Sequence, residues 1–121
     1  MRRRKPDRMP TFDDVRSIAL ALPDVEEKLT WGTDVTFRIR DKMFVVGSDG
    51  SEGISLKASI TVQAELIDLD PETFSVAAYV GRYGWVNVKL DRIDRALLEG
   101  LLRDAWRSTA PKSMRDRVPE A

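Results

Sequence analysis

The chain has 121 residues, which is enough for one domain with a single hydrophobic core. Hydrophobic residues make up 42% of it and charged residues 33%, which is typical of an ordinary soluble globular chain and not of a disordered or membrane one. The absence of cysteine and histidine excludes disulfides, thiol nucleophiles, Cys/His zinc sites and histidine-dependent catalytic triads. No other catalytic constellation is recognisable. We therefore predict a protein that is not an enzyme, with no catalytic residues, metal site or cofactor.

The formal charge is balanced overall but distributed unevenly along the chain. Residues 1–8 hold five basic side chains against one acidic side chain, whereas residues 9–102 hold ten basic and sixteen acidic side chains. The basic residues that follow Met1 are Arg2, Arg3, Arg4 and Lys5. We predict a disordered basic arm over 1–10, a domain over 11–108 and a C-terminal tail over 109–121. A basic arm can bind phosphates, although short charged termini are more often only solvated.

The beginning of the chain also bears on its compartment. Its basic residues are typical of the start of a signal peptide, but Pro6-Asp7-Arg8 follows where an apolar stretch is required. No run of about eighteen apolar residues occurs in the sequence. We expect a cytoplasmic protein that makes no contact with a membrane.

Hydrophobic periodicity predicts a helix and then three strands in the first half of the chain. Thr11 and Asp14 form a capping-box pattern, and apolar residues then recur at helical spacing until Pro23, which predicts a helix over 12–22. The period then changes to two. Alternating or continuous apolar runs predict a three-stranded antiparallel meander over 35–40, 43–46 and 54–57.

The second half of the chain predicts two more helices and two more extended segments. Ser59 is placed to cap a helix over 61–69. An extended piece over 74–80 leads through a glycine-flanked turn into a strand over 85–90, and Asp91 caps a last helix that has Asp94 at its third position. The order α-β(3)-α-β(2)-α predicts a single-domain α+β sandwich, in which helices pack on one face of an antiparallel sheet.

The other face of that sheet is the candidate binding surface. If the apolar side chains of the strand over 85–90 face the helices, its remaining side chains and their cross-strand neighbours face away from them. The predicted surface and its adjoining turn carry Arg38, Arg40, Lys57, Lys89, Trp85, Arg82 and Tyr83. Cations interleaved with aromatic rings suit nucleic acid, because phosphates contact the cations and bases stack on the rings. The same residues equally suit a solvated face that binds nothing.

Several short stretches of the sequence form a specific combination. They are Ala19–Glu27, Trp31-Gly32, Phe37–Ile39, Lys42–Phe44, Leu56-Lys57, Tyr79, Gly84–Val86, Val88, Leu90, Ala105-Trp106 and Pro111-Lys112. On these residues the chain resembles the MmcQ/YjbR family of small bacterial proteins over about 12–115, nearly the whole domain. The patterns LP-x-V-E-E, K-M-F and G-W-V are specific together, although none of them is specific alone. The chain departs from common members in its arginine-rich arm and in Trp106, where tyrosine is frequent.

The resemblance implies a fold more than a function. It implies the same α-β(3)-α-β(2)-α sandwich, related in shape to frataxin-type and secretion-chaperone-type domains. Members of the family are usually called DNA-binding by analogy of architecture, which is an association and not a demonstrated site. The family has no agreed catalytic set to transfer to this chain.

Three hypotheses of function follow. The first is weak or non-specific DNA binding through the uncovered sheet face and the arm Arg2–Lys5. The second is a protein-interaction module, chaperone-like or self-associating, in a monomer or weak homodimer. Its apolar centre would be Met43, Val45 and Trp85. The third is a metal-responsive domain that uses an acidic stretch otherwise interpreted as a solvated loop. The carboxylates concerned are Asp13, Asp24, Glu26 and Glu27.

Overall fold

The structure, a computed structural model, describes residues 9–30 and 32–119. The predicted arm residues Arg2, Arg3, Arg4 and Lys5 lie outside the described residues, as does Trp31. The strands are β1 (Val25–Thr30), β2 (Asp34–Ile39), β3 (Lys42–Gly47), β4 (Gly53–Leu56), β5 (Phe74–Val76) and β6 (Val86–Lys89). The helices are α1 (Phe12–Leu20), α2 (Ile60–Leu69) and α3 (Arg95–Thr109), with 3-10 turns at Gly81–Tyr83, Leu90–Arg92 and Lys112–Arg117.

The six strands form one antiparallel sheet in the order β1-β2-β3-β4-β6-β5. The predicted α+β class is confirmed, but the sheet has one strand more than predicted. The sequence pattern does not predict β1 because three consecutive residues of this six-residue strand, VEEKLT, are charged, and the segment looks like a solvated loop. β1 is an edge strand with most of its side chains in water, and charged residues at an edge discourage pairing with another chain.

All three helices cover the same face of the sheet. α3 packs on β3 and β4, α1 lies beside β1, and α2 lies beside β5. The sheet contributes these buried side chains to the core: Val35, Phe37, Ile39, Phe44, Val45, Ile54, Leu56, Val86 and Val88. The helices contribute Phe12, Val15, Ala19, Leu66, Leu98, Leu101, Leu102, Ala105 and Trp106. The predicted packing of helices on one face is therefore the packing observed.

A β-bulge explains the unbroken apolar run in β3. The register pairs Phe37 with Val45 but Arg38 with Met43, so Phe44 is an extra residue on its strand. Phe44 and Val45 are both fully buried. A bulge places two consecutive side chains on one side of a strand, so a run without alternation is compatible with a single apolar face.

The segment assigned to a C-terminal tail is part of the packed domain as far as residue 118. Ala110, Met114 and Val118 are all buried in the main core. Arg107 fixes this segment to α3, because its guanidinium donates to the carbonyls of Arg115 and Val118 at 2.8 and 2.6 Å. The folded unit therefore extends beyond residue 108. Among the helices of residues 9–30 and 32–119, none is both long and apolar enough to span a bilayer.

The last helix begins later than predicted. Asp91 lies in the 3-10 turn Leu90–Arg92, and α3 starts at Arg95 with Asp94 as its N-cap. The Asp94 carboxylate accepts the backbone N–H of Leu97 at 2.8 Å. The sequence offers two aspartates three residues apart, and Ile93, which lies between them, is buried in extended conformation. That burial moves the start of the helix to the second aspartate.

We expect Asp94→Ala to lower the free energy of unfolding by about 1 kcal/mol, because it leaves a first-turn N–H without its side-chain acceptor. Asp91→Ala is the matched control and should change stability by less than about 0.5 kcal/mol. Urea denaturation of both variants measures the difference. Equal losses would contradict the assignment of Asp94 as the cap.

Candidate nucleic-acid interface

The sheet face that points away from the helices is polar rather than basic. Cross-strand pairing places small side chains in one row, with Thr36 opposite Val46, Val46 opposite Ser55, and Ser55 opposite Asn87. These groups bond to one another: the Ser55 hydroxyl lies 2.6 Å from Asn87 Oδ1, and the Asn87 amide donates to Ser75 Oγ at 3.4 Å. The centre of the predicted binding surface is a self-satisfied polar row, which leaves few groups for a ligand.

Two of the predicted cations do lie on this face, but they differ in how exposed they are and in where along the sheet they lie. Arg38 is half-buried, and its guanidinium donates to Thr36 Oγ1 at 2.9 Å and to the Asp41 carbonyl at 3.3 Å. Lys89 is exposed at the end of β6 and pairs with Gly53 at the start of β4. Lys57 follows the other end of β4, about 14 Å further along the strand. The structure therefore separates Lys89 from Lys57.

The predicted exposure of Trp85 is wrong. Its side chain is 6% exposed and does not belong to the main core cluster. Its carbonyl accepts hydrogen bonds from the buried Gln63 amide at 2.7 Å and from the Ala77 N–H at 3.3 Å. The alternation rule assigns Trp85 to the water-facing side, but the segment 77–84 and α2 fold against this part of the chain. A ring buried in this way offers no surface on which a base can stack.

The predicted position of Arg40 is also wrong, because Arg40 belongs to a turn. Arg40 and Asp41 both have positive φ, 51° and 69°, as the two central residues of a type I′ hairpin do. The alternation of β2 therefore ends at Ile39. The guanidinium of Arg40 points to the Sδ of Met114 at 3.5 Å and to the carboxylate of Asp24 at 3.7 Å. Arg40 thus lies at one end of the sheet, beside the segment that follows α3.

At this end of the sheet two adjoining clefts collect the cations. The small cleft, of about 280 Å³, is lined by Ile39, Arg40, Lys42, Lys57, Ser108, Thr109, Ala110, Pro111 and Arg115. The large cleft, of about 460 Å³, is lined by Leu56, Lys57, Ala58, Ser59, Val62, Leu101, Asp104, Arg107, Ser108 and Arg115. We call the cations of the two clefts the basic end: Arg40, Lys42, Lys57, Arg107 and Arg115. Asp104 is the one carboxylate among the described residues that line them.

The cations of the basic end differ in whether their side chains already bind other groups of the protein. Arg107 and Arg115 donate to backbone carbonyls of the segment after α3, Arg115 through its Nε to Ala110 at 3.2 Å. Lys42 and Lys57 have no ion pair with any carboxylate of the described chain. Asp41, the nearest acid in sequence to Lys42, binds Lys28 at 2.9 Å. That ammonium group holds the pKa of the Asp41 carboxyl below its usual value, so Asp41 remains ionised and paired elsewhere.

The turn Gly81–Tyr83 lies directly beside the large cleft. Gly84 follows it with φ +100°, and a Cβ added there would lie 2.5 Å from the Ala58 carbonyl oxygen and 2.8 Å from the Ser59 carbonyl carbon. Only glycine permits this backbone conformation and this approach. Gly84, at the end of the turn, therefore lies against the backbone of Ala58 and Ser59, which line the large cleft. The side chains of Arg82 and Tyr83 are exposed, and the Arg82 guanidinium carbon lies 4.9 Å from the centre of the Tyr83 ring.

Gly84→Ala should lower the free energy of unfolding by more than about 2 kcal/mol, since it adds a backbone clash to the left-handed strain. Gly50→Ala is the matched control: it also has positive φ, 77°, but nothing lies within 4 Å of the added Cβ. Its expected loss is about 1 kcal/mol. Thermal unfolding of the two variants tests the contact, and equal losses would show that Gly84 does not lie against Ala58.

The acidic stretch does not form a metal site in the described part of the chain. Asp13, Glu27 and Asp49 all bind Arg16, at 2.9, 3.0 and 2.7 Å. Glu27 foremost, and Asp49 after it, raise the pKa of the guanidinium, so Arg16 joins α1 to β1 and to the loop after β3 as a permanent cation. No three acidic side chains within residues 9–30 and 32–119 come together with the geometry of a cation site.

The predicted apolar centre for a protein partner is not exposed either. Val45 is fully buried in the core and Trp85 is buried outside the main core cluster, so Met43 is the member that retains some exposure. Sequence reasoning places Val45 outward because strict alternation ignores the bulge at Phe44. It misses Lys42, Arg107, Arg115 and Thr109, which belong to the clefts. A signal is present in the sequence, because Lys112, Arg115 and Arg117 follow the end of the last predicted helix closely.

Comparison with known proteins gives a family and a fold. The sequence model of the YjbR family matches residues 20–108, and the chain belongs to that family. Among solved structures it is similar to the Deinococcus radiodurans protein DR2400, which carries the DUF419 domain. The TM-score is 0.79 at 23% identity, over 93% of this chain and 91% of that chain. Comparison with proteins of curated function finds no match. At this level of identity the structural likeness speaks for the fold alone.

Proposed function

We propose that this protein is a weak, non-specific DNA-binding domain that contacts the phosphate backbone through the basic end. The observation that carries the proposal is the concentration of cations in the two clefts. Their lining includes five cations and one carboxylate, whereas the described chain as a whole has fifteen basic and eighteen acidic side chains. A local positive field on an acidic body directs a polyanion to one place.

Single-stranded DNA suits this surface better than a duplex. Tyr83 is 61% exposed, and Tyr79 is 95% exposed in the same connection between β5 and β6. Base stacking on exposed aromatic rings beside a cationic groove is the usual way in which proteins bind single strands without sequence preference. Gly84, which follows Tyr83 in the chain, contacts Ala58 and Ser59, the two residues after Lys57. Phosphates can therefore contact the clefts while a base reaches the ring.

The proposal moves the interface from the sheet face to the sheet end. Of the residues that the sequence assigns to one surface, Arg40 and Lys57 line the clefts. Arg82 and Tyr83 directly precede Gly84, which contacts Ala58 and Ser59 of the large cleft. Arg38, Trp85 and Lys89 do not line the clefts: the first is tied to Thr36, the second is buried and the third lies at the opposite end of β4 and β6. The arm Arg2–Lys5 remains an additional source of affinity under this proposal, because four consecutive cations bind phosphates without a fold.

The test is fluorescence anisotropy of a labelled single strand and a duplex with the full chain, at low and moderate salt. Lys57→Glu should weaken single-strand binding about tenfold. It should also reduce the slope of log affinity against log salt by about 0.7 for each phosphate that the variant no longer neutralises. Lys89→Glu makes the same charge change at the other end and should leave affinity within about twofold.

If the two variants weaken binding equally, affinity depends on the net charge of the protein and not on the location of the cation at the basic end. A chain that starts at Met9 separates the arm from the domain, because binding that disappears with the arm would assign all the affinity to residues 1–8. If no DNA binds, the exposed Val76 and Tyr79 at the β5 edge become the surface to examine for a protein partner.

A further inference from the structure

The small cleft has an unusual composition for a surface hollow. Four of its nine lining residues are cations, and no carboxylate lines it among the residues that the structure describes. The four cations come from different parts of the fold: Arg40 and Lys42 from the β2–β3 hairpin, Lys57 from the end of β4, and Arg115 from the turn after α3. Cations that converge on one hollow from three segments suit a compact anion better than a long strand that passes across a surface.

A second, independent observation concerns Thr109, which also lines the small cleft. Thr109 is 8% exposed, and its hydroxyl oxygen is buried without a hydrogen-bond partner in the described chain. A helical threonine ordinarily donates to the carbonyl four residues earlier, but the Ala105 carbonyl accepts from Ser108 Oγ at 3.0 Å. A buried hydroxyl without a partner is rare in native proteins and is commonly satisfied by a bound water or ligand. Threonine in a helix populates two χ1 rotamers, so this hydroxyl can turn toward an acceptor in the cleft.

We propose that the small cleft binds the phosphate monoester of a nucleotide, with Thr109 as a hydrogen-bond donor beside Arg40, Lys42, Lys57 and Arg115. The inference deepens the proposed function, on which it rests, because the cleft lies within the basic end. It adds that the protein distinguishes a terminal phosphate from the internal phosphates of a strand.

A terminal phosphate fits the cleft better than an internal phosphate because it carries more negative charge and has more free acceptor oxygens. A monoester carries between about 1.5 and 2 negative charges at neutral pH and has three free acceptor oxygens. An internal diester carries one charge and must leave room for the chain on both sides. The convergent donors of the small cleft therefore favour the group with more charge and more acceptors.

The neighbouring large cleft provides space for the attached nucleoside. The two clefts share Lys57, Ser108 and Arg115, so they lie side by side at these residues. The large cleft has an apolar side to which Val62 contributes an exposed side chain and Leu101 a mostly buried one, which suits the face of a base. A phosphate in the small cleft thus places its nucleoside toward the large cleft and the Tyr83 turn. The group can come from a strand end or from a free nucleotide.

The experiment compares three probes on the full chain at one fixed salt concentration. The probes are a single strand with a 5′-phosphate, the same strand with a 5′-hydroxyl, and a free nucleoside 5′-monophosphate. The expected result is binding of the 5′-phosphate strand about tenfold tighter than the 5′-hydroxyl strand. Thr109→Val, which keeps the shape and removes the hydroxyl, should abolish most of that preference, whereas Lys89→Ala should leave it unchanged.

The other possible outcomes distinguish a failure of this inference from a failure of the proposed function. Strong, salt-dependent binding of both strands without a 5′-phosphate preference would overturn this inference and leave the proposed function standing. Binding of the free nucleotide alone, weakened by Thr109→Val, would support the cleft as a nucleotide site and overturn the proposed DNA binding. Binding of none of the three probes would overturn both. If Thr109→Val lowers the melting temperature, Lys42→Ala replaces it, because the exposed Lys42 side chain has no structural partner in the described chain.

Discussion

The structure depends on the burial of one apolar sheet face beneath α3. Trp106 is at the centre of this contact: it is fully buried, and its indole N–H donates to the Pro23 carbonyl at 2.9 Å. A buried tryptophan removes between about 150 and 250 Å² from water, and its N–H needs a partner when it is buried. The bond to Pro23 provides that partner and fixes α3 to the connection between α1 and β1.

The same packing explains why cations gather at one end of the domain. Since α3 ends at Thr109, the carbonyls of its last turn and of the following segment lie at the sheet end and need donors. Arg115 donates a hydrogen bond to the Ala110 carbonyl, and Arg107 donates to the carbonyls of Arg115 and Val118. These two arginines bind backbone carbonyls of the fold, whereas the side chains of Lys42 and Lys57 have no ion pair with a carboxylate of the described residues. The positive field therefore has a structural origin, and the two lysines are the members free to contact a ligand.

Sequence reasoning predicts the fold well wherever periodicity and local capping decide it. The start of α1 at Thr11 and of α2 at Ser59, the hairpins and the helices on one face follow from these signals. It fails where tertiary contacts decide: the edge strand β1 lacks an apolar alternation, the bulge at Phe44 reverses the faces beyond it, and burial of Ile93 delays α3. The site is predicted only in part. Thr109 and Arg115 meet Lys57 through a packing of distant segments that no local pattern encodes.

The central claim is that the end of the sheet, and not its uncovered face, is the binding surface. The most direct measurement is an NMR titration of the full chain with a short single-stranded DNA. The account predicts that amide shift changes concentrate at residues 57–59, 81–84 and 108–115, which surround the clefts. Changes centred instead on Ser55, Ser75 and Asn87, the polar row of the open face, would contradict it.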